Sequence, residues 1–239
     1  NEYMEELSKL NINIVNFEDL GEGSKQADLV INAIYPEKQV LANHYFGHDY
    51  FILRDEFIYS KQKENINEVK NILITFGGVD PNNYTKKVID IIYNYCQSNS
   101  IKIKVITGFG YNNYESLLEY RDVEIEKNVT NISKYILEAD LIFTSAGRTT
   151  YEIASIGTPT IVMAQNEREL THFFASSEFG FLNLGLGYNI EDEALYQNFT
   201  ELLNSKENRK YMSELMKKTD LKSGRKAVTR LIQNLLENI

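Results

Sequence analysis

Residues 139–165, ADLIFTSAGRTTYEIASIGTPTIVMAQ, contain the pattern that decides the fold. The apolar run Leu141 to Thr144 predicts a buried strand, and the small residues 145–147 predict a turn. A helix is predicted to open on Arg148 and to end at Gly157, before another apolar strand. A short turn between a strand and a helix presents backbone N–H groups and the positive end of the helix dipole. This stretch therefore predicts a site for an anion such as phosphate.

The same alternation extends over most of the chain after Asn71. Strands are predicted at 72–76, 101–107, 123–125, 141–144 and 180–184, with another after Pro159; further helices are predicted at 83–96, 111–120, 132–137 and 167–177, with two or three more in 191–239. Strands that alternate with helices of about ten residues indicate βαβ units. The region predicts a doubly wound, parallel, Rossmann-like α/β domain.

Residues 1–57 are poorer in helices. Strands are predicted at 12–17, 29–31 and 50–53 with one short helix before them, and one helix cannot cover both faces of a parallel sheet. We therefore expect 1–57 to be the C-terminal remnant of an N-terminal α/β domain in an N-terminally truncated chain. The charged stretch 61–70 reads as a linker or a solvated helix. The predicted organisation is a remnant domain at 1–57, a linker at 58–70 and the Rossmann-like domain at 71–239.

Composition excludes several classes of function. Among 239 residues, 25 Lys and Arg face 34 Asp and Glu, which gives a net charge of −9 and argues against a nucleic-acid partner. The single cysteine, Cys96, cannot form an internal disulfide. No apolar run reaches the roughly 18 residues of a membrane span. We expect a cytoplasmic protein without a membrane span.

A second glycine-bearing turn, residues 75–81 (TFGGVDP), follows the first strand of the predicted Rossmann-like domain. Gly77 and Gly78 let the backbone approach a ligand closely, Asp80 can cap the next helix, and Pro81 suits its first position. The turn lacks the dinucleotide and Walker patterns, and a tight turn without a ligand remains an alternative. If its strand neighbours the strand 141–144, the two turns converge on one crevice.

Other polar residues near strand ends allow more than one interpretation of their role. Arg148 can contact a phosphate or face solvent, and Glu152 can accept hydrogen bonds from a ribose or pair with the helix dipole. The backbone of 128–131 can read a base edge or form a capped loop. The amides of Gln165 and Asn166 can reach a diphosphate or a sugar.

The histidines give no strong site. His44 and His48 are four residues apart, but Gly47 argues against the helix that a metal pair would need, so we expect no metal. His172 lies beside Phe173 and Phe174, where packing is the simpler interpretation. The cations of the C-terminal region, which include Lys217 and Arg225, read as a solvated helix face.

The order of these motifs resembles one family. The matching segments are 17–19 (FED), 27–32 (ADLVIN), 50–57 (YFILRDEF), 76–81 (FGGVDP), 139–141 (ADL), 147–152 (GRTTYE), 157–159 (GTP) and 164–166 (AQN). In this order they look like the UDP-sugar hydrolase of pseudaminic-acid biosynthesis and the related spore-coat polysaccharide biosynthesis proteins. Both are similar to GT-B glycosyltransferases of the lipid-II N-acetylglucosaminyltransferase kind. The resemblance covers most of residues 17–185.

The resemblance implies a GT-B-like fold that holds a UDP-sugar between two domains. Carried over by position, the diphosphate would lie on Gly77, Gly78 and the turn formed by Gly147, Arg148, Thr149 and Thr150. Glu152 would bind the ribose, the backbone near Val129 the uracil, and Asn166 would lie near the diphosphate or sugar. No cofactor is implied, because in that family water attacks the anomeric carbon without a metal.

The resemblance also implies a catalytic histidine in a Gly-rich loop near the N-terminus of the protein. His44, His48 and His172 do not match that motif, so the base is expected upstream of Asn1 and no catalytic residue is assigned. Hydrolysis by this chain alone is expected to be slow or absent.

Two positions depart from the family pattern. Arg148 stands where relatives more often have a small residue, and Gln165-Asn166-Glu167 replaces the usual Glu-Asn-Gln order. These departures concern the identity of the sugar, which the sequence leaves open together with the oligomeric state. A GT-B glycosyltransferase and a non-catalytic nucleotide-sugar-binding module remain alternative functions.

Overall fold

The structure of the protein is a computed structural model that describes residues 2–36 and 42–237. Two compact units divide the chain. The first unit comprises Asn1–Arg54, Thr171–Phe173 and Asp220–Ile239, and the second comprises Asp55–Leu170 and Phe174–Thr219.

Strands and helices alternate along the described residues. The strands are β1 (Val15–Phe17), β2 (Leu29–Asn32), β3 (His44–Phe46), β4 (Asn71–Ile74), β5 (Lys102–Thr107), β6 (Val123–Lys127), β7 (Leu141–Thr144), β8 (Thr160–Ala164) and β9 (Leu182–Leu186). The α-helices are α1 (Glu2–Ser8), α2 (Asp55–Ile58), α3 (Tyr84–Ser98), α4 (Ile132–Glu138), α5 (Thr149–Ile156), α6 (Glu167–Leu170), α7 (Asp192–Asn204), α8 (Lys206–Lys218) and α9 (Gly224–Glu237).

The first unit is built on a parallel sheet in the order β1-β2-β3. All residues of the central strand β2 are buried, because alternate side chains enter two different apolar clusters. Val30 packs with Met4 of α1, whereas Leu29 and Ile31 pack with Val228 of α9. The last helix of the chain therefore covers the face that the short first helix leaves open.

Close contacts anchor the start of α9 within the first unit. A Cβ on Gly224 would overlap the carbonyl oxygen of Phe51, so only glycine fits there. The guanidinium of Arg225 donates to the carbonyl oxygen of Leu53 at 2.7 Å. The expected solvated face is thus wrong for Arg225, because its charge binds a backbone carbonyl.

The second unit contains a six-stranded parallel sheet in the order β6-β5-β4-β7-β8-β9. From β4 the chain proceeds to one edge through β5 and β6, then returns to the other side of β4 with β7 and continues to β9. The reversal between β4 and β7 is the topological switch point of a doubly wound sheet. The predicted parallel α/β class is confirmed.

Helices cover this sheet in layers. Side chains of α3 and α7, including Val88, Ile92 and Phe199, share one core with Ile74 and Phe143 of the central strands. Helix α5 packs against both α4 and α8. Tyr151 of α5 is buried there and stacks on Phe174, with ring centroids 4.1 Å apart.

Residues 59–70 form neither helix nor strand, and they are fixed to the second unit. The ammonium group of Lys63 donates to the carbonyl oxygens of Leu137 and Ala139 at 3.0 and 2.5 Å. Arg209 of α8 is buried and donates to the carbonyl oxygen of Asn67 at 2.8 Å. Burial lowers the pKa of both cationic groups. The domain boundaries remain a prediction.

Three local predictions were wrong. The extended residues 51–53 are not a strand, because β3 takes the position beside β2. The helix expected at 111–120 is a 3₁₀ turn, Tyr114–Leu117, and the helix expected at 167–177 ends at Leu170. The predicted helical region 191–239 resolves into α7, α8 and α9, and its last two residues lie outside the described residues.

Candidate functional site at the carboxyl edge of the second sheet

The two glycine-bearing turns follow neighbouring strands. Strands β4 and β7 pair in parallel with Ile74 opposite Phe143, and the N–H of Thr75 donates to the carbonyl oxygen of Phe143 at 3.0 Å. The turn at Gly77 and Gly78 and the turn at Gly147 therefore leave the same edge of the sheet at the switch point. The sequence predicted a shared crevice if these two strands were neighbours, and the structure shows that they are.

The turn after β4 is open on one side and tightly packed on the other. Gly77 has a φ of +79°, which favours glycine, and a Cβ on Gly77 or Gly78 would meet no atom within 4 Å. A Cβ on Gly108, after β5, would overlap the backbone of Gly78, and the N–H of Gly110 donates to the carbonyl oxygen of Gly78 at 2.9 Å. The loop after β5 thus fixes the backbone of Gly78 from behind.

Asp80 joins three parts of this edge. Its buried carboxylate accepts the N–H groups of Tyr84 and Thr85 at 2.9 and 2.8 Å, which confirms that it caps α3. It also accepts Nε2 of Gln165, after β8, at 2.7 Å. The side-chain amide of Gln165 therefore donates its hydrogen bond to a partner within the protein. The expected role of Pro81 as first helical residue is wrong, since α3 begins at Tyr84.

A tyrosine supports the start of α3. The hydroxyl of Tyr111 donates to Oδ1 of Asn83, the residue before α3, at 2.5 Å. Burial raises the pKa of Tyr111 to about 12, so its hydroxyl stays a neutral donor at physiological pH.

The turn after β7 presents unused N–H groups. Within the described residues, the N–H groups of Gly147 and Thr149 have no hydrogen-bond acceptor. The hydroxyl and the N–H of Thr150 both donate to the carbonyl oxygen of Gly147, at 2.8 and 3.2 Å. Thr150 therefore shapes the turn from inside, which leaves the side chain of Thr149 as the threonine donor on the surface of the turn.

The two charged positions predicted for this turn lie around the start of α5. Arg148 is exposed and directly precedes the helix, and Glu152 is half-buried in its first turn. Glu152 is thus the acidic residue of the first turn of α5, as the sequence spacing requires.

Glu169 is a residue of this edge that the sequence interpretation missed. Its Oε2 accepts the N–H groups of Ala146 and Gln165 at 3.1 and 2.8 Å, so one carboxylate joins the turn after β7 to the turn after β8. Asn166 is exposed, and its Oδ1 accepts the N–H of Glu169 at 3.1 Å. The helix predicted at 167–177 contains Glu169, but no local pattern indicates its bonds to the turns after β7 and β8.

The loop 128–131 leads from β6 into α4. Val129 in this loop is half-buried and follows Asn128, whose φ is +56°. The N–H of Ser133 in the first turn of α4 donates to Oε2 of Glu56 at 2.8 Å, a contact between residues 77 apart in sequence. Since α4 packs against α5 and both helices follow strands of one parallel sheet, their first turns lie at the same edge.

The histidines are distributed over different elements. His44 lies in β3, and His48 begins a 3₁₀ turn, His48–Tyr50. His172 packs edge-on against Tyr35 in the first unit, with ring centroids 5.3 Å apart. No cluster of three or more His, Cys, Asp or Glu that could hold a metal ion exists among the described residues. None of the helices in the described ranges combines the length and the apolarity needed to cross a bilayer.

Comparison with solved structures identifies the fold. Acinetobacter baumannii MurG superposes with a TM-score of 0.68 at 17% identity, over 97% of this chain and 69% of that chain. Anabaena Alr3699/HepE, solved in complex with UDP and glucose, gives a TM-score of 0.62 at 12% identity, over 92% of this chain and 71% of that chain. The chain has the α/β fold of the GT-B glycosyltransferases.

Sequence comparison adds two relatives of this GT-B-like chain. The spore coat polysaccharide biosynthesis protein SpsG of Bacillus subtilis is 26% identical over 80% of this chain, which covers 60% of that protein. The uncharacterized protein MJ1062 of Methanocaldococcus jannaschii is 35% identical over 60% of this chain, which covers 34% of that protein. The chain thus spans three fifths of the length of SpsG and about a third of the length of MJ1062. No family profile matches it.

Proposed function

We propose that the chain binds a UDP-sugar at the carboxyl edge of the second sheet. The nucleotide-sugar is a substrate of surface-polysaccharide or nonulosonic-acid biosynthesis. The observation that carries the proposal is the pair of turns at the switch point, one glycine-rich and one with N–H groups that have no acceptor among the described residues. In doubly wound folds this is the position at which ligands bind.

Each predicted residue has a role in this proposal. The backbone of Gly77, Gly78 and Gly147 surrounds the diphosphate, because glycine leaves room for close approach. The N–H groups of Gly147 and Thr149, the positive charge of Arg148 and the dipole of α5 offset its negative charge, and Thr150 holds the turn in shape. Glu152 accepts the ribose hydroxyls. The backbone at Val129 contacts the uracil, and Asn166 lies beside the group attached to the diphosphate.

The comparisons support the proposed ligand. SpsG is by its name a polysaccharide biosynthesis protein, and the Alr3699/HepE structure contains UDP and glucose. A structure of Staphylococcus aureus TarM, which superposes with a TM-score of 0.59 over 90% of this chain, also contains UDP. A net charge of −9 argues for an anion held locally by N–H groups rather than by a broad basic surface.

The first proposed reaction is hydrolysis. A water oxygen attacks the anomeric carbon, the bond from that carbon to the diphosphate oxygen breaks, UDP leaves with the electron pair, and the attacking water releases its proton to the solvent. Donors at the turn after β7 would stabilise the charge that develops on the leaving diphosphate. In this proposal these residues bind the leaving group, and no residue is assigned as the base.

Glycosyl transfer is the second candidate reaction. The observation in its favour is that superposing structures, such as that of the kitacinnamycin glycosyltransferase with a TM-score of 0.62, are named as transferases. An acceptor hydroxyl then replaces water, and the binding of UDP by the second unit is the same in both reactions. Product analysis with and without a hydroxylated acceptor separates the two.

The binding proposal is tested by calorimetric titration with UDP, CDP and GDP. We expect selective binding of UDP and at least about a tenfold loss of affinity in Glu152→Ala, because two hydrogen bonds from hydroxyls to a carboxylate disappear. Glu207→Ala is the matched control, since Glu207 is an exposed glutamate in the first turn of α8. Lack of UDP binding by the wild type, or equal effects of the two substitutions, would overturn the proposed site.

A further inference from the structure

Phe109 has the largest exposed fraction of any large apolar side chain among the described residues, at 87%. It follows the end of β5, the strand that lies between β4 and β6, and it therefore lies at the carboxyl edge of the second sheet. A phenyl ring in water loses the favourable free energy that burial of its apolar surface would give. A ligand that covers the ring would recover that free energy.

The backbone that carries Phe109 is fixed by the glycines on both sides of it. A Cβ on Gly108 would overlap the backbone of Gly78, and the N–H of Gly110 donates to the carbonyl oxygen of Gly78 at 2.9 Å. The N–H of Tyr111 donates to the carbonyl oxygen of Gly108 at 3.3 Å, which closes a turn with Phe109 as its second residue. Because this backbone is already ordered, little entropy is lost when a ligand contacts the ring.

Two features of this edge lie beside the turn 108–111. Val79, in the turn after β4, is 55% exposed, and its Cγ2 lies 3.2 Å from the position that a Cβ on Gly110 would take. The N–H of Asn128, in the loop after β6, donates to the carbonyl oxygen of Thr107 at 3.0 Å. The turn 108–111 therefore lies between the turn proposed for the diphosphate and the loop proposed for the uracil.

The base is the part of a nucleotide that suits an exposed aromatic ring at this position. Phosphate oxygens are charged and strongly hydrated, so apolar surface does not attract them. A pyrimidine has two flat faces, and bases stack on aromatic side chains in many nucleotide-binding proteins. In the proposed function the backbone at Val129 contacts the uracil through hydrogen-bonding groups at its edge, which leaves the faces of the base for another partner.

We propose that Phe109 stacks on one face of the uracil of the bound UDP-sugar, and that Val79 extends the apolar surface beside it. This inference rests on the proposed function and adds to it a residue that contacts the face of the base. Stacking does not depend on the hydrogen-bonding groups of a base. Phe109 therefore contributes affinity, whereas the choice between uracil and cytosine belongs to the loop after β6.

The diphosphate of 5,6-dihydrouridine tests this proposal, because its base keeps the hydrogen-bonding groups of uracil but has no aromatic ring. In calorimetric titrations we expect the wild type to bind UDP at least about fivefold more tightly than this analogue. Phe109→Ala should bind the two ligands within about twofold of each other, and should bind UDP at least about fivefold more weakly than the wild type. Phe109→Tyr keeps an aromatic ring and should keep the preference for UDP.

A fluorescent variant reports the contact directly. The chain contains no tryptophan, so Phe109→Trp introduces a single indole. We expect UDP to quench its emission, because a stacked base quenches indole fluorescence. Leu118→Trp is the control, since Leu118 is 59% exposed in the same unit and lies outside the turn 108–111, and UDP should leave its emission unchanged.

Three results would overturn the stacking role. One is unchanged UDP affinity in Phe109→Ala. Another is an equal loss of affinity for UDP and for the dihydrouridine analogue in that variant, because the ring would then act on the ribose, the diphosphate or the turn itself. The third is an emission of Phe109→Trp that bound UDP does not change. If the wild type binds no UDP, the proposed function itself fails.

Discussion

Individual side chains at the candidate site are held by hydrogen bonds to residues that lie far away in the sequence. Asp80 binds Gln165 across 85 positions, and Glu56 binds the first turn of α4 across 77. The sequence indicated that Asp80 could cap a helix, because capping acts over a few residues. It could not indicate that Gln165 is used internally or that Glu169 joins two turns, because those contacts depend on which strands are neighbours.

Gly78, in the turn after β4, and Gly108, after β5, separate the effect of packing from the effect of ligand binding. In Gly108→Ala the new Cβ would overlap the backbone of Gly78, so we expect a loss of stability of about 1–3 kcal/mol and weaker UDP binding. In Gly78→Ala the Cβ meets no protein atom within 4 Å, so stability should be unchanged or rise by up to about 1 kcal/mol, while UDP binding weakens. Chemical denaturation and titration with UDP measure both quantities. Normal UDP binding by Gly78→Ala would contradict the proposed position of the diphosphate.

At the scale of elements, the structure confirms some predicted segments and not others of similar length. The helix predicted at 83–96 is α3, and the strand predicted at 141–144 is β7. The strand predicted at 50–53 failed because β-structure needs a partner, and β3 takes the place beside β2. Residues 167–177 contain helix-forming residues, but only four of them form α6. Local propensity is a weak constraint when packing decides.

Helix α9 is an element whose role depends on one buried position. Val228 is 2% exposed and packs on Leu29 and Ile31 of β2. Val228→Asp places a carboxylate in this apolar cluster, so we expect a loss of about 3 kcal/mol or more. Thr229→Asp, at an exposed neighbouring position, should change stability by no more than about 0.5 kcal/mol. Equal denaturation midpoints for the two variants would show that α9 does not stabilise this sheet.

At the scale of the whole molecule, chain order and spatial order differ. Residues 220–239 end the chain but belong to the first unit, where α9 covers the sheet that the first 57 residues could not cover. Strand β7 follows β6 in sequence but pairs with β4. Because the chain returns from β6 to place β7 beside β4, the turns after β4 and β7 lie together and form the candidate site at this edge.

The segment 59–70 gives a test at this scale. Lys63→Met leaves the carbonyl oxygens of Leu137 and Ala139 without their donor and removes the ammonium that lies 3.5 Å from Asp140. We expect a loss of about 2–4 kcal/mol and faster proteolysis within 59–70. Lys61→Met is the control, because Lys61 is exposed. If both variants resist denaturant and protease like the wild type, the segment is not held by Lys63.

The sequence by itself determined the parallel α/β class, the two glycine-bearing turns at strand ends, and the position of Glu152 in the first turn of its helix. These features follow from hydrophobic periodicity and from the chemistry of turns, which act over a few residues. Only the tertiary structure decided that the two turns are neighbours, that Thr150 faces inward, and that Glu169 joins the edge. Strand order and long-range hydrogen bonds depend on the packing of segments that are distant in the chain, and no local pattern encodes them.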